Sequence, residues 1–373
     1  MNNIYCPIPF YSIELSPESY RLCCVSIKEH AYENNNYIDF WNGLLLQSKR
    51  KQILNNKKLD ECAFCYNNEK SFGQSKRLNE INQKVFYRSP TSFPNTLQLK
   101  ISNICNLKCI MCNPTYSTKW NEDVEVFSSL ISVGKSKTQY FNKKSIKHII
   151  EKFINTDSTK FKTLELYGGE PMLAKSFWKY IESVDAEKLR KVKLQVVSNG
   201  TYIKDYHIQA LNKFKFVNFV ISVDGTEEIF EFVRYPAQWH LVEDNIKLFD
   251  KFFKTRGEGF QFTLSFTLSS FSAIGLKDFL LYCSKNNLPY HINVASNGLN
   301  HPATLIDALK EITLNDVKSL LPDRWYTVVE NAFNTEIDIE KKEKLIAYYD
   351  LIKKQRGKDF IALVKKMYGI NLC

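Results

Sequence analysis

The sequence predicts an α/β protein built around a partial, open (β/α)6 barrel, with a small N-terminal cysteine-rich module and a helical C-terminal tail. Three observations predict it. From about residue 95 to 296, apolar β-rich runs alternate with amphipathic stretches, the order that makes βαβ units and a parallel sheet. Six such runs can be placed, at 97–101, 163–167, 193–198, 217–223, 261–266 and 290–294, too few to close an eight-stranded barrel. The stretches between them, at 144–155, 174–184, 203–213, 240–253 and 275–286, are each long enough for a right-handed crossover helix.

The flanks differ in texture. In 1–94, runs at 10–15 and 20–26 flank Ser16-Pro17-Glu18-Ser19, which reads as a β-hairpin. A polar helix at about 40–53 follows, then Cys62 and Cys65 and a loop-rich basic segment to residue 95. Residues 297–373 read as helical, with Pro322 and Gly357 as breakers.

The 373 residues are 44% hydrophobic and 24% charged, enough for one large core with appended parts. No stretch approaches the ~18 apolar residues that span a bilayer, and the start, MNNIYCPIPF, lacks a basic region followed by a long apolar run. A cytoplasmic protein is expected. In that setting ten cysteines suggest metal binding before disulfides. The net charge of +11 permits an acidic partner, but no compact basic and aromatic motif of a nucleic-acid module is visible.

The chemical signals cluster at strand ends, where parallel α/β folds place their reactive centres. Cys105, Cys109 and Cys112 stand in CNLKCIMC, directly after the first barrel strand. Three thiolates at this spacing hold three irons of a cubane and leave the fourth iron open. Zinc is the alternative, but it normally takes four ligands, and no fourth Cys or His stands at short spacing. After the second strand comes Gly168-Gly169-Glu170, which brings bare backbone and an acidic group to a ligand, or is an ordinary turn. The third strand ends in Ser198 and Asn199, the fourth in Ser222 and Asp224 with Arg234 downstream, either a polar grip or a turn with a surface arginine.

Together these motifs resemble the radical SAM enzymes, whose core is a partial TIM-like barrel. The resemblance implies a 4Fe-4S cluster on Cys105, Cys109 and Cys112, with S-adenosylmethionine on the open iron. It implies that the Gly168-Gly169-Glu170 motif grips the methionine amino group and that Ser198, Asn199, Ser222 and Asp224 contact the cofactor. A guanidinium suits bidentate carboxylate recognition, so Arg234 would pair with its carboxylate. Met111 stands where relatives often carry an aromatic, and its thioether can still pack on adenine.

A second cysteine set precedes the barrel. Cys62-Ala63-Phe64-Cys65 has the spacing that presents two thiolates to one centre, and Cys6 with one cysteine of the Cys23-Cys24 pair makes four. Adjacent strand residues point to opposite faces, so only one of that pair serves; Cys24 is preferred, with Cys23 the competitor. This run resembles the auxiliary-cluster module of SPASM and twitch proteins, placed here N-terminally, and so implies a second 4Fe-4S cluster. A structural four-cysteine zinc site is the alternative. Cys283 reads as a core residue and Cys373 as a tail thiol.

The expected function is reductive cleavage of S-adenosylmethionine and hydrogen abstraction from a substrate. By resemblance that substrate is a ribosomally made peptide, modified by crosslinking, thioether formation or epimerisation. An external electron donor such as flavodoxin or ferredoxin is implied. No peptide-docking winged-helix pattern is visible in the first hundred residues. Dehydrogenation or epimerisation of a small polar metabolite is the second reading, RNA modification a third, and a non-catalytic cluster-bearing sensor a fourth.

Overall fold

The computed structural model describes residues 4–31, 36–83, 87, 89–128, 130, 134–156, 162–295, 298–336 and 339–370. Cys373, and residue 296 where the barrel is expected to end, lie outside the described residues. The chain begins with β1 (Ser12–Leu15), β2 (Ser19–Arg21), β3 (His30–Ala31), α1 (Tyr37–Asn42), α2 (Leu44–Leu54), α3 (Ala63–Phe72) and α4 (Lys76–Asn82). It continues through β4 (Thr96–Lys100), α5 (Val124–Phe127), α6 (Lys143–Asn155), β5 (Lys162–Tyr167), α7 (Lys175–Ser183), α8 (Ala186–Leu189), β6 (Val192–Ser198) and α9 (Asp205–Leu211). There follow β7 (Phe216–Ser222), α10 (Glu227–Val233), α11 (Trp239–Arg256), β8 (Phe260–Leu268), α12 (Leu276–Asn286) and β9 (Tyr290–Val294). The end is helical: α13 (Asp307–Val317), α14 (Asp323–Phe333), α15 (Ile339–Arg356) and α16 (Phe360–Tyr368).

The strands follow the order β3-β2-β1-β4-β5-β6-β7-β8-β9. Pairs β1·β4, β4·β5, β5·β6 and β8·β9 are parallel, while β1·β2 and β2·β3 are antiparallel. The fold is therefore α/β with a parallel-dominated sheet; each of the six barrel strands read from the sequence is present within two residues, while the run read at 20–26 is a strand only to Arg21. Contacts divide the chain into two compact units. The first is Met1–Ser102, Gln139–Val197 and Lys204–Asn218; the second is Asn103–Thr138, Ser198–Ile203 and Phe219–Cys373. Among the described residues no helix is long and apolar enough to cross a membrane.

In the first unit, period-2 alternation gives the sheet an apolar face and a polar face. Leu97, Leu99, Leu164, Leu166, Leu194 and Val196 are buried on one side. Helix α6 offers Ile146, Ile149, Ile150 and Phe153 at helical spacing, and Asn142 caps it by accepting from Ser145 N–H at 2.9 Å. The opposite face carries the in-register row Glu14, Gln98, Glu165 and Gln195. Gln98 Nε2 donates to Glu165 Oε2 at 2.8 Å.

The expected hairpin is present. Ser16 N–H donates to Ser19 O at 2.9 Å, and Glu14 faces Arg21 across it. Strands β1 to β3 extend the sheet from the edge of β4, so the cysteine-rich segment and the first barrel strands share one unit. The segment read as a loop after Cys65 is instead helical, as α3 and α4. Neither helix has a regular apolar stripe; Ser75 accepts from Leu78 N–H at 3.0 Å and Arg77 pairs with Glu69, local signals that hydrophobic periodicity misses.

Glu14 is fully buried, and burial pushes its carboxyl up to about 7, against the opposing charge of Arg21. Between its ordinary value and about 7 the native state holds a proton that the unfolded chain has lost, so stability falls as pH rises through that window. Glu14→Gln removes this dependence. Urea unfolding at pH 5 and pH 8 is expected to show the variant gaining about 2.5 kcal/mol relative to the parent at the higher pH. A gap that does not change with pH contradicts it.

In the second unit, α11 buries Trp239, Val242, Ile246, Phe249 and Phe253, an amphipathic stripe, and Phe219 of β7 meets Phe249 at 4.4 Å. The C-terminal helices close an aromatic core: Phe271 contacts Tyr348, Tyr349 and Phe360 at 5.2 to 5.6 Å.

Candidate active site

The loop that bears Cys105, Cys109 and Cys112 lies wholly in the second unit and is held by backbone contacts on both sides of its central cysteine. Lys108 N–H donates to Tyr235 O and Ile110 N–H to Val233 O, each at 2.8 Å. The Trp120 indole N–H donates to Cys109 O at 2.8 Å, and Ser117 Oγ donates to Leu107 O. Leu107 and Ile110 are buried and act as apolar anchors, while Cys105 and Cys112 are half-buried.

All three cysteines are thiols, outside any disulfide. Burial raises the Cys112 thiol, and the neighbouring charges of Cys109 and Cys105 raise it further. Thiols this near one another would, as thiolates, be stabilised by a cationic centre. Among the described residues no three His, Cys, Asp or Glu side chains converge where one metal ion would sit. Three soft thiolate donors on one loop are the ligand type that iron–sulfur clusters take. The donor set therefore fits the group implied by the spacing.

The end of β6 supplies the first thiol's polar neighbours. Asn199 Nδ2 donates to Asn106 Oδ1 at 3.0 Å and lies 3.7 Å from Cys105 Sγ. Asn106 Nδ2 in turn donates to Thr201 Oγ1 at 2.8 Å, and Thr201 N–H returns to Asn199 Oδ1 at 2.9 Å. Gly200 turns the chain here with φ 73°, and a Cβ would meet Ile221 at 2.8 Å, so only glycine fits. Ser198 Oγ accepts from Gly200 N–H at 3.0 Å. Sequence reasoning found Ser198 and Asn199 but missed Asn106 and Thr201; their one signal was position, inside the cysteine loop and next to the strand end.

Asp224 and Arg234 form a buried ion pair, Nη2 to Oδ2 at 2.6 Å, and Asp224 Oδ1 accepts from Thr267 N–H at 2.7 Å. Burial pushes the Asp224 carboxyl up, opposed by Arg234. The guanidinium also acts on Cys109, whose thiol burial raises and Arg234 draws down. A solvated surface arginine is thus excluded. Ser222 ends β7 and is half-buried, and Met111 is half-buried in the loop.

Gly168, Gly169 and Glu170 belong to the first unit, at the end of β5. Gly168 has φ 80°, and a Cβ there would lie 2.6 Å from Lys100 Cγ and 3.0 Å from Ser102 O. Glu170 is fully buried and accepts from Met172 N–H at 2.9 Å, capping the short turn Pro171–Leu173.

The second cysteine set also lies in the first unit. Cys6 and Cys23 are buried together with Ile8, flanked by Tyr11 and Val25. Burial raises the Cys6 thiol, and the charges of Cys62 and Cys65 raise it further; the Cys62 thiol is pushed up to about 12 by burial and by Cys65. Cys24 goes elsewhere. Its N–H donates to Gln98 Oε1 at 2.9 Å; burial raises its thiol and the Lys76 charge opposes this. Cys6 thus sits beside Cys23, and Cys62 and Cys65 act on Cys6, while Cys24 lies by Gln98; Cys23 and Cys24 fall in the turn after β2, not in a strand. Cys283 is buried in α12.

Residues 99–266 match the sequence family described as the radical SAM superfamily. No curated protein matches the chain. Among solved structures, native anSMEcpe with bound AdoMet is 20% identical with a TM-score of 0.44, over 74% of this chain and 67% of that one. Streptococcus suis SuiB bound to precursor peptide SuiA is 15% identical with a TM-score of 0.40, over 86% of this chain and 60% of that one. A mutant spore photoproduct lyase is 10% identical with a TM-score of 0.36, over 72% and 73%. The chain spans about two thirds of the first of these and less of the second.

Proposed function

We propose that this protein is a radical SAM enzyme that abstracts hydrogen from a ribosomally made peptide. The observation that carries the chemistry is the loop of three thiols at a strand end, with Asn199 at Cys105 and the buried Arg234 acting on Cys109. Cys105, Cys109 and Cys112 would hold a 4Fe-4S cluster, which, given one electron from a flavodoxin- or ferredoxin-like donor, would supply the reductive cleavage of S-adenosylmethionine to methionine and a 5′-deoxyadenosyl radical. The chain's own part is to bind and orient. Arg234, aimed by Asp224, holds the cofactor's carboxylate; Glu170 receives its ammonium beside Gly168 and Gly169. Ser198, Asn199 and Ser222 serve its ribose hydroxyls, and Met111 packs on adenine.

The peptide substrate follows from the resemblance of the N-terminal cysteine set to auxiliary-cluster modules. We assign that set to Cys6, Cys23, Cys62 and Cys65, with residues 1–94 as auxiliary module, 95–296 as barrel and 297–373 as extension. A cluster held by these four thiolates would have no open iron and would supply electron transfer, taking an electron from the product radical. The test is anaerobic reconstitution with iron and sulfide, reduction by dithionite in the presence of S-adenosylmethionine, and chromatography. A 5′-deoxyadenosine peak supports the reading, and its absence from protein carrying iron and sulfide sinks it.

A further inference from the structure

The C-terminal extension carries almost no chemical signal in its sequence, yet α15 ends in a cation enclosed beside the cysteine loop. The Arg356 side chain is fully buried. Its Nε and Nη2 donate to Asp123 Oδ2 at 3.2 and 3.0 Å, and Gln355 Nε2 donates to Asp123 Oδ1 at 3.3 Å. Lys108, the residue before the central cysteine, donates from Nζ to the same Oδ1 at 2.6 Å. The Arg356 guanidinium also lies over three rings: Trp120 at 4.8 Å, Tyr235 at 5.6 Å and Phe127 at 5.8 Å.

Two of those rings belong to residues that grip the loop. Trp120 donates its indole N–H to Cys109 O, and Tyr235 offers its carbonyl to Lys108 N–H, both at 2.8 Å. Arg356 therefore backs two of the contacts that fix the centre of the cysteine loop, and through Asp123 it backs the Lys108 side chain as well.

We propose that Arg356 is a positioning residue for the cysteine loop and a fixed positive charge that eases reduction of the cluster held there. The inference rests on the radical SAM reading for its second half only. Cluster potentials respond to nearby net charge, and a buried cation favours the reduced, more negative form. Removing the cation leaves Asp123 buried with less compensation, which moves the local charge further in the same direction.

The test compares Arg356→Gln with Asp123→Asn, which both disturb the Arg356–Asp123 pair but change charge oppositely. Redox titration followed by electron paramagnetic resonance is expected to show Arg356→Gln lowering the equilibrium constant for one-electron reduction about tenfold, about 59 mV. Asp123→Asn is expected to raise it. A purely structural role moves both variants the same way, and that result, or no shift in either, overturns the electrostatic half.

Positioning is read separately on the apoprotein, by iodoacetamide labelling of Cys105, Cys109 and Cys112 with mass-spectrometric mapping. Both variants are expected to label Cys109 at least about threefold faster than the parent, and equal rates overturn the positioning half. Arg356→Lys keeps the charge without the planar fork, so it is expected to hold the potential while labelling faster. It stands in if Arg356→Gln does not fold. A parent protein that takes up no cluster refutes the radical SAM reading and, with it, the electrostatic half, while apoprotein labelling still decides positioning.

Discussion

Cys109→Ala is expected to abolish 5′-deoxyadenosine formation, a loss of at least about a thousandfold, or about 4 kcal/mol of transition-state stabilisation. Cys109 is the central thiol, and its backbone is fixed on both sides, by the Trp120 indole on its carbonyl and by Tyr235 and Val233 on the neighbouring amides. Among the described residues of the second unit, the one further cysteine, Cys283, is enclosed in α12 and so is not placed to replace it. The same variant is expected to lose the iron of one cluster while unfolding within about 1 kcal/mol of the parent apoprotein, because a thiol-to-methyl change at one loop residue removes little packing. Iron near the parent's content together with normal product would remove Cys109 from the site.

The second large effect belongs to the other unit. Cys62→Ala combined with Cys65→Ala is expected to lower iron and sulfide from about eight of each per chain to about four, while the uncoupled cleavage of S-adenosylmethionine survives. The coupling of Cys6, Cys23, Cys62 and Cys65 motivates this expectation. Cys24→Ala, by contrast, is expected to leave iron unchanged, since Cys24 lies by Gln98 on the polar sheet face. Metal analysis of the parent and both variants checks this. Four irons in the parent, or zinc beside one cluster, would replace the auxiliary cluster with a structural site.

Periodicity made the barrel strands legible. Alternation such as Leu164, Glu165, Leu166 states both the strand and its faces, and α6 announces itself by Ile146, Ile149, Ile150 and Phe153. The cysteine loop was legible for a different reason: ligand spacing is local, so C-x3-C-x2-C needs no knowledge of the fold. What depended on tertiary placement was not legible. Helices α3 and α4 bury few apolar residues and are set by a cap and the Arg77–Glu69 pair. The parallel pairing of β1 with β4 joins residues some eighty positions apart, which no local pattern encodes.

Residue choice within the sites followed the same divide. Asn199 and Arg234 were reachable from strand-end logic, whereas Asn106 and Thr201 became visible only through the hydrogen bonds that join them. The choice between Cys23 and Cys24 turned on the direction of two adjacent side chains, and Arg356 on a contact between positions 123 and 356.

The central claim is that Cys105, Cys109 and Cys112 hold a cluster with an iron open to S-adenosylmethionine. Electron paramagnetic resonance of the anaerobically reconstituted, dithionite-reduced protein tests it directly, recorded with and without S-adenosylmethionine. The account predicts a reduced 4Fe-4S signal whose g-values shift when S-adenosylmethionine is added, and whose S-adenosylmethionine-sensitive part is missing in Cys109→Ala. A cluster signal that S-adenosylmethionine leaves unchanged, or one that Cys109→Ala retains in full, would contradict it.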